Sequence, residues 1–359
     1  MRLHNYRRDK FIFMAAMGIM LLSGCGKDTK DIALITDRGL VEDGSVEATA
    51  WESIEKFAKN NDKTYVAYEP EERNTKGYEE AINEALKAGA EVIICPGKAF
   101  ETAVYDMQKE DLSVKFLILD GVPNPGDNEK EKIRGNTHAV LFSKEQAGFL
   151  AGYSAVKEGY TNLGFMGGVK DDATTRYGSG FVQGANAAAV EMGLNADQIS
   201  IRYDYLGTRV TSPTVTQTAQ GWYDEGCQVI FGCDSSILNA IGKAAESRDK
   251  LVITLDNDLS AFPGRVLAYI GNDYGSVVYQ VLDSIEENKY AGGEKETVGV
   301  ESDSVYLDMS RSSFGTFTEE QYLAVCSDLK AGKLKVTDAN VTKDLSKYEI
   351  ENVTVNLEK

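Results

Sequence analysis

The stretch that decides the fold is Val92-Ile93-Ile94-Cys95, followed by a helical pattern over about 99–109 and then by Phe116-Leu117-Ile118-Leu119-Asp120. Short apolar runs separated by amphipathic segments are typical of parallel strands that are joined by helices and buried on both faces. The same alternation precedes them, where Ile32-Ala33-Leu34-Ile35-Thr36 and Tyr65-Val66-Ala67-Tyr68 are each followed by a helical pattern. This part of the chain is therefore predicted to form an α/β layer structure around a parallel sheet.

A second set of strand and helix patterns begins after Asn136. Strands are predicted at 163–166, 199–206, 229–231 and 251–254, and helices over about 176–193, 214–225 and 236–247. The stretch Ser143-Lys144-Glu145-Gln146 predicts a capping box at the start of a further helix that ends near Glu158. Two similar lobes leave a cleft between them, and parallel sheets bind ligands at the carboxyl ends of their strands. Loops of both lobes are expected to face this cleft.

Aspartates recur directly after the predicted strands. Asp37, Asp120 and Asp256 fall at equivalent places on faces that are expected to meet. Carboxylates in such a cleft accept hydrogen bonds from the hydroxyl or amine groups of a small polar ligand. Asp234 is interpreted as a helix cap instead, because a helix pattern starts directly after it.

The composition describes a globular protein with room for two or three domains. The chain has 359 residues, of which 42% are hydrophobic and 26% are charged, too apolar for disorder and too polar for a protein that spans a membrane many times. The net charge of −18 argues against a nucleic-acid partner, because a phosphate-binding face needs clustered Lys and Arg.

The histidine count and the glycine motifs of the chain give little support to catalysis or cofactor binding. His4 and His138 are the two histidines, so a site with several His ligands is excluded and a Ser-His-Asp or Cys-His arrangement is unattractive. The stretch Gly178-Ser179-Gly180-Phe181-Val182-Gln183-Gly184 is one residue too long for GxGxxG and lies within a helical pattern. These glycines are interpreted as positions of close helix packing, and no metal or cofactor is expected.

The N-terminus is predicted to be a signal peptide. A basic segment precedes twelve apolar residues, Phe11 to Leu22, which are too few to span a bilayer as a helix. Leu21-Leu22-Ser23-Gly24-Cys25 resembles a bacterial lipobox, in which the cysteine is lipidated and becomes the new N-terminus. The open alternatives are a plain secretory signal or an uncleaved anchor with Cys25 incidental. The remaining cysteines have no CxxC spacing and are interpreted as buried apolar residues: Cys95, Cys227, Cys233 and Cys326.

Several longer stretches occur in a characteristic order. The clearest run from Val41 to Trp51, from Asn136 to Gly152, from Leu163 to Gly168, from Gly180 to Gly184 and from Ala331 to Val336. Together they resemble the basic membrane protein family of ABC-importer lipoproteins, whose best-understood members are purine-nucleoside receptors. The similarity covers about residues 31–337.

The resemblance implies a type I periplasmic-binding-protein fold, with two doubly wound parallel-sheet lobes that are joined by three crossings. The expected first lobe comprises 31–139 plus 258–298, and the second comprises 140–257 plus 299–359. A signal peptide (1–24) and a tether (25–30) precede them.

The implied function is capture of a nucleoside or nucleoside-like ligand and its delivery to an ABC permease, without catalysis. The protein is expected to be lipid-anchored at the outer face of the cytoplasmic membrane. The alternative is a ligand-sensing receptor of the same fold for a sugar, a carboxylate-bearing compound or a peptide.

The resemblance also assigns site residues. Asp37, Asp120 and Asp256 match ligand-contacting carboxylates of the family. Val46 and Glu47 stand where the family usually has a base-stacking Phe and a polar Asn. The second stacking aromatic falls at Arg209, and the Lys that contacts ribose falls at Asn272 or its neighbours.

These departures argue against a standard purine-nucleoside site, because Val46 cannot stack on a base. Arg209 either stacks through its guanidinium plane or pairs with an anionic group of the ligand. The other interpretation is an exposed surface Arg and a misplaced gap. Further aromatic rings are expected near the cleft and are candidates to rebuild its wall: Tyr177, Tyr205, Tyr269 and Tyr274.

Overall fold

A computed structural model of the chain describes residues 30–37, 39–40, 45–126, 130–255, 259, 261–340, 345 and 350–358. The strands are β1 (Ile32–Ile35), β2 (Tyr65–Tyr68), β3 (Val92–Pro96), β4 (Lys115–Leu119), β5 (Thr137–Phe142), β6 (Asn162–Gly167), β7 (Ser200–Tyr205), β8 (Val229–Cys233), β9 (Leu251–Leu255), β10 (Val266–Asn272), β11 (Lys295–Val298), β12 (Val305–Leu307) and β13 (Thr354–Leu357). The helices are α1 (Val46–Asn61), α2 (Thr75–Lys87), α3 (Glu101–Met107), α4 (Lys144–Lys157), α5 (Asp172–Met192), α6 (Pro213–Asp224), α7 (Ser235–Arg248), α8 (Tyr274–Glu286) and α9 (Glu319–Lys330). The predicted alternation of strands and helices is confirmed.

The strands form two separate sheets, one in each lobe. The first has the order β11-β5-β4-β3-β1-β2, and the second has the order β12-β10-β9-β8-β6-β7-β13. All pairings in the first sheet are parallel, and the second departs from this only where β12 runs antiparallel to β10. The expected two-lobed α/β fold with parallel sheets is confirmed.

Each sheet is buried on both faces. Successive side chains of a strand point to opposite sides of the sheet, and each side packs in an apolar cluster of its own. In β1, Ala33 and Ile35 belong to the apolar cluster around α2 and α3, whereas Ile32 and Leu34 belong to the cluster around α1 and α8. The second sheet likewise separates two buried clusters. Continuous apolar strands are thus explained by helices that cover both sides of the sheet.

The chain passes between the sheets three times. It leaves the first sheet after Phe142 at the end of β5, returns to the first lobe after Asn272 at the end of β10, and leaves again after Val298 at the end of β11. We define these passages as the first, second and third crossings.

Two of the expected lobe boundaries are wrong. Residues 140–142 pair with β11 and lie in the first sheet, although they were expected in the second lobe. β10 pairs with β9 and β12 in the second sheet, although 258–298 was expected in the first lobe. The reason is that β10 supplies backbone partners to both neighbours, so the chain returns only after Asn272.

The glycines of α4 and α5 allow these two helices to touch, as the sequence predicts. A Cβ added at Gly180 or Gly184 would overlap the backbone of α4, and one added at Gly148 or Gly152 would overlap that of α5. The predicted capping box at the start of α4 is wrong, because Ser143 makes no side-chain cap hydrogen bond. The side chain of Gln146, which was expected in the capping box, accepts a hydrogen bond from Val300 N (2.7 Å) and thereby ties the first crossing to the third.

Candidate functional site

The carboxyl ends of the strands carry the polar side chains that the sequence singled out. Asp37 follows β1 and Asp120 follows β4, so both lie at one edge of the first sheet. Because β3 lies between these strands, the ends of β1 and β4 are roughly 10 Å apart along that edge. Arg209 follows β7 and Asn272 ends β10 in the second lobe. We call these strand ends the rims of the two lobes.

Asp120 is held in one orientation by three donors. Its Oδ1 accepts from Phe142 N (3.3 Å) and from Lys144 Nζ, and its Oδ2 accepts from the hydroxyl of Tyr274 (2.6 Å). The side chains of Asp120 and Lys144 are only 17% and 13% exposed. A charged pair at this depth stabilises a fold little more than apolar residues would, so stability alone does not account for a charged pair at this position.

The backbone of Asp120 is also in an unusual conformation. Its φ is +53°, and among the described non-glycine residues with positive φ it alone follows a strand, whereas the others end helices or turns. Left-handed backbone is unfavourable for residues other than glycine, although Asp tolerates it better than most. Such conformations cluster at functional sites, where the surrounding contacts maintain them.

Asn272 connects the second-lobe rim with this carboxylate. Its Nδ2 donates to the hydroxyl of Tyr177 in α5 (2.8 Å) and approaches that of Tyr274 (3.5 Å), which in turn donates to Asp120. Burial raises the pKa of both Tyr177 and Tyr274 well above the usual range, so both hydroxyls stay protonated at neutral pH. The structure therefore brings the predicted residues Asp120 and Asn272 together, with the Tyr274 hydroxyl between them. We call these residues, together with Lys144 and Tyr177, the Asp120 cluster.

An ion pair next to this cluster fixes the start of α4 against α5. Arg176 donates to Glu145 through Nε (2.8 Å) and Nη2 (3.2 Å), and it also lies 3.0 Å from Asp338. Glu145 is buried and directly follows Lys144, while Arg176 directly precedes Tyr177. This bidentate contact therefore positions the neighbouring residues Lys144 in α4 and Tyr177 in α5.

Asp37 is engaged within the first lobe. The hydroxyl of Tyr78 in α2 donates to its Oδ1 (2.6 Å). Val46 and Glu47 lie in the first turn of α1, which is capped by the hydroxyl of Ser45 on Ala48 N (3.1 Å). Val46 packs against the apolar cluster under α1. The bond from Tyr78 to Asp37 and the packing of Val46 both lie within the first lobe.

Arg209 lies on the second-lobe rim between two helix starts. Its guanidinium pairs with Asp171, the N-cap of α5, and lies 3.5 Å from Asp234, the N-cap of α7. The predicted capping role of Asp234 is confirmed, since its carboxylate accepts from Ser236 N (3.0 Å). The Arg209 side chain remains 50% exposed.

Two predicted functional residues lie outside the described residues. These are Asp256, expected after β9, and Cys25, expected to carry the lipid. The four other cysteines are confirmed as free and buried. Among the described residues, no group of three or more His, Cys, Asp or Glu is arranged to hold a metal ion.

The four candidate tyrosines do not form one wall. Tyr177 and Tyr274 belong to the Asn272 network, whereas Tyr205 packs against Phe165 and bonds to the hydroxyl of Tyr203 (2.7 Å). The ring of Tyr269 instead faces the guanidinium of Arg311, 4.1 Å from its centroid. The sequence patterns did not single out Lys144 as a site residue. Its signal in the sequence is a positive charge two residues after the end of β5.

Comparison with known proteins identifies the family. A sequence model described as "ABC transporter substrate-binding protein PnrA-like" matches residues 30–339. The chain belongs to this Bmp family. The resemblance inferred from the sequence motifs is thereby confirmed, and the chain is an ABC transporter substrate-binding protein.

Curated relatives of the family span almost the whole chain. The chain is 25% identical to "ABC transporter nucleoside-binding protein BmpA" of Lactococcus lactis subsp. cremoris, over 84% of this chain and 90% of that protein. It is 27% identical to "CD4+ T-cell-stimulating antigen" of Listeria monocytogenes, over 89% of this chain and 98% of that protein.

A solved structure supports the fold. An ABC transporter solute-binding protein from Conexibacter woesei superposes with a TM-score of 0.68 at 18% identity, over 86% of this chain and 99% of that chain. The Bmp-family chain therefore has a periplasmic-binding-protein fold. None of the helices in the described part combines the length and apolar character that a membrane span requires.

Proposed function

We propose that the protein is a lipid-anchored, extracytoplasmic receptor that captures a nucleoside or nucleoside-like compound between its lobes and delivers it to an ABC permease. Family membership supports the transport role, and the nucleoside-binding name of the Lactococcus lactis relative supports the ligand class. Lipidation at Cys25 would keep the receptor at the outer face of the cytoplasmic membrane.

The observation that carries the proposal is the setting of Asp120. This carboxylate lies at the carboxyl end of a parallel strand, where open α/β sheets bind ligands. Three donors orient it, and the second crossing lies next to it. A carboxylate held in this way is suited to accept a hydrogen bond from a hydroxyl or amine of the ligand. Asp37 and Asp256 are proposed to do the same from their own strand ends.

The ligand-binding mode departs from a clamp of two aromatic rings. Val46 packs against the apolar cluster around α1 and α8, and the guanidinium of Arg209 forms ion pairs with Asp171 and Asp234. The half-exposed Arg209 side chain is proposed to stack through its guanidinium on a planar ligand group, since guanidinium planes stack on flat aromatic systems. The carboxylates on its edge reduce its attraction for an anionic ligand, which favours nucleosides over nucleotides.

The test is a binding screen of the form that starts at Lys27, which retains every described residue. Thermal shift identifies binders among purine and pyrimidine nucleosides, bases, nucleotides, sugars and amino acids, because a ligand of the native state raises its stability. Calorimetry then measures affinity. We expect nucleosides to bind and nucleotides to bind more weakly. A response to sugars or amino acids alone would contradict the nucleoside assignment.

The role of Asp120 is tested with a matched pair of variants. Asp249 also has positive φ (53°) and an ion pair, with Arg265, but it ends α7. Asn tolerates this conformation, so Asp120→Asn and Asp249→Asn both preserve the backbone. We expect Asp120→Asn to weaken nucleoside binding about tenfold or more, as for the loss of a charge-assisted hydrogen bond, and Asp249→Asn to leave it unchanged. Equal affinities of the two variants would remove Asp120 from the site.

A further inference from the structure

Tyr274 occupies an unusual position at the hinge. It is the first residue of α8, directly after the second crossing, and its hydroxyl donates to Asp120 Oδ2 (2.6 Å). Its ring packs on Phe142 with 4.3 Å between centroids, and Phe142 is the last residue before the first crossing. A single side chain thus contacts two crossings and the candidate ligand-binding carboxylate.

The same contacts continue into the second lobe. Asn272, the last residue before the second crossing, lies between the hydroxyls of Tyr274 (3.5 Å) and Tyr177 (2.8 Å). Tyr177 is buried in α5, the helix that packs against α4. Asn272 Oδ1 is buried without a hydrogen-bond partner among the described residues. A row of polar side chains therefore links the second lobe to the first-lobe rim through the hinge.

The first and third crossings are also tied to each other. Gln146, in the first turn of α4, accepts from Val300 N (2.7 Å) and donates to Glu301 (2.9 Å), and both of those residues follow the third crossing. Phe142 and Tyr274 join the first crossing to the second. These contacts place the three crossings next to one another.

We propose that Tyr274 is a positioning residue that couples the angle between the lobes to the orientation of Asp120. Asp120 and Tyr274 both belong to the first lobe, where Tyr274 packs against the apolar cluster around α1 and α8, whereas Asn272 at the end of β10 moves with the second lobe. Rotation between the lobes therefore changes the contact between Asn272 Nδ2 and the Tyr274 hydroxyl, which is the donor to Asp120. A ligand that binds the oriented Asp120 favours the lobe angle at which Asn272 contacts this hydroxyl. This inference rests on the proposed function in that Asp120 is taken to bind the ligand.

The test compares Tyr274→Phe with Tyr290→Phe. Tyr290 is a matched control, because it is also mostly buried in the first lobe and its hydroxyl donates to Phe116 O (2.6 Å), away from the cleft. Each variant loses only an oxygen. We expect Tyr274→Phe to weaken the binding of inosine and adenosine about three- to tenfold, the factor of one hydrogen bond, and Tyr290→Phe to leave it unchanged.

A double variant separates positioning from stability. If Tyr274 acts through Asp120, Tyr274→Phe should have no further effect on affinity in the Asp120→Asn background. Rescue is also informative, since Tyr274→His retains a donor on a ring and should recover part of the affinity. Unchanged affinity in Tyr274→Phe, or effects of the two substitutions that multiply independently, would overturn the coupling.

The effect of Tyr274 on the angle between the lobes is measured without ligand. Small-angle scattering should give a changed radius of gyration for Tyr274→Phe and an unchanged one for Tyr290→Phe. Identical radii for Tyr274→Phe and the wild type would overturn the inference even if nucleosides bind. If the wild type binds no nucleoside, the proposed function fails, and the radius alone still decides whether Tyr274 controls the lobe angle.

Discussion

The ion pair between Asp120 and Lys144 offers a quantitative test of the lobe junction. Removing one member of a buried pair leaves an uncompensated charge, at a cost of about 3–5 kcal/mol. Both side chains are slightly exposed, at 17% and 13%, which reduces the expected cost of Asp120→Asn to roughly 2–3 kcal/mol. Lys144→Met should cost less, about 1–2 kcal/mol, because Asp120 keeps its bonds from Phe142 N and Tyr274.

The two substitutions together should cost less than the sum of the single ones. In the double variant neither charge is left without its partner, so we expect a coupling free energy of at least about 1 kcal/mol. Urea unfolding at neutral pH without ligand measures it. The fluorescence of Trp51 in α1 and Trp222 in α6 reports on the first and second lobes respectively.

A second ion pair on the same helix provides the control. Lys157 pairs with Glu191 at 2.9 Å, with side chains 12% and 54% exposed. Because Glu191 is largely in solvent, the cycle of Lys157→Met and Glu191→Gln should give a coupling of about 0.5 kcal/mol or less. A coupling between Asp120 and Lys144 no larger than that of this control would refute the reasoning.

Three further outcomes are expected from the packing and the titration of buried groups. Gly152→Ala in α4 places a Cβ against Phe181 O and should reduce the unfolding free energy by about 1–3 kcal/mol, whereas Gly221→Ala in α6, where the Cβ meets open space, should be neutral or stabilising; urea unfolding compares them. Burial lowers the pKa of His138 below its ordinary value of 6.5, so the unfolded chain binds the proton more readily and stability is lost as the pH falls below about 6.5. Replacement of His138 by Gln should reduce this pH slope of the unfolding free energy, and an unchanged slope would contradict it. Deletion of residues 350–359 exposes the edge of β7 and should lower the thermal unfolding temperature, as measured by calorimetry.

The layers of the fold follow from local patterns, because a strand buried on both faces must be apolar at every position. The run Ile32-Ala33-Leu34-Ile35 shows this directly. The sheet to which a strand belongs depends instead on its partners. β10 joins the second sheet through pairing with β9 and β12, which no local pattern encodes. The prediction of a capping box at Ser143 is wrong for a related reason. The side chain of Gln146 bonds to Val300 and Glu301, which are distant in sequence.

The candidate site was only partly predictable. Asp37 and Asp120 could be found because the carboxyl ends of parallel strands lie at one edge of a sheet. Their partners come from the tertiary structure. Lys144 reaches Asp120 across the first crossing, and Tyr274 reaches it from the start of α8, just after the second crossing. A residue whose role depends on a crossing has no fixed spacing from its partner, so sequence patterns do not reveal it.

The contacts of Asp120 also bear on which ligands the rim accepts. A carboxylate offers about four acceptor positions, and Phe142 N, Lys144 Nζ and the Tyr274 hydroxyl occupy three of them. A neutral hydroxyl or amide group of a ligand can bind at the remaining position of Oδ2 without breaking any of these bonds. A cationic ligand would compete with Lys144 and leave its buried ammonium unpaired, which is costly. For the binding proposed at Asp120, we therefore expect a preference for neutral ligands that donate a single hydrogen bond at this point.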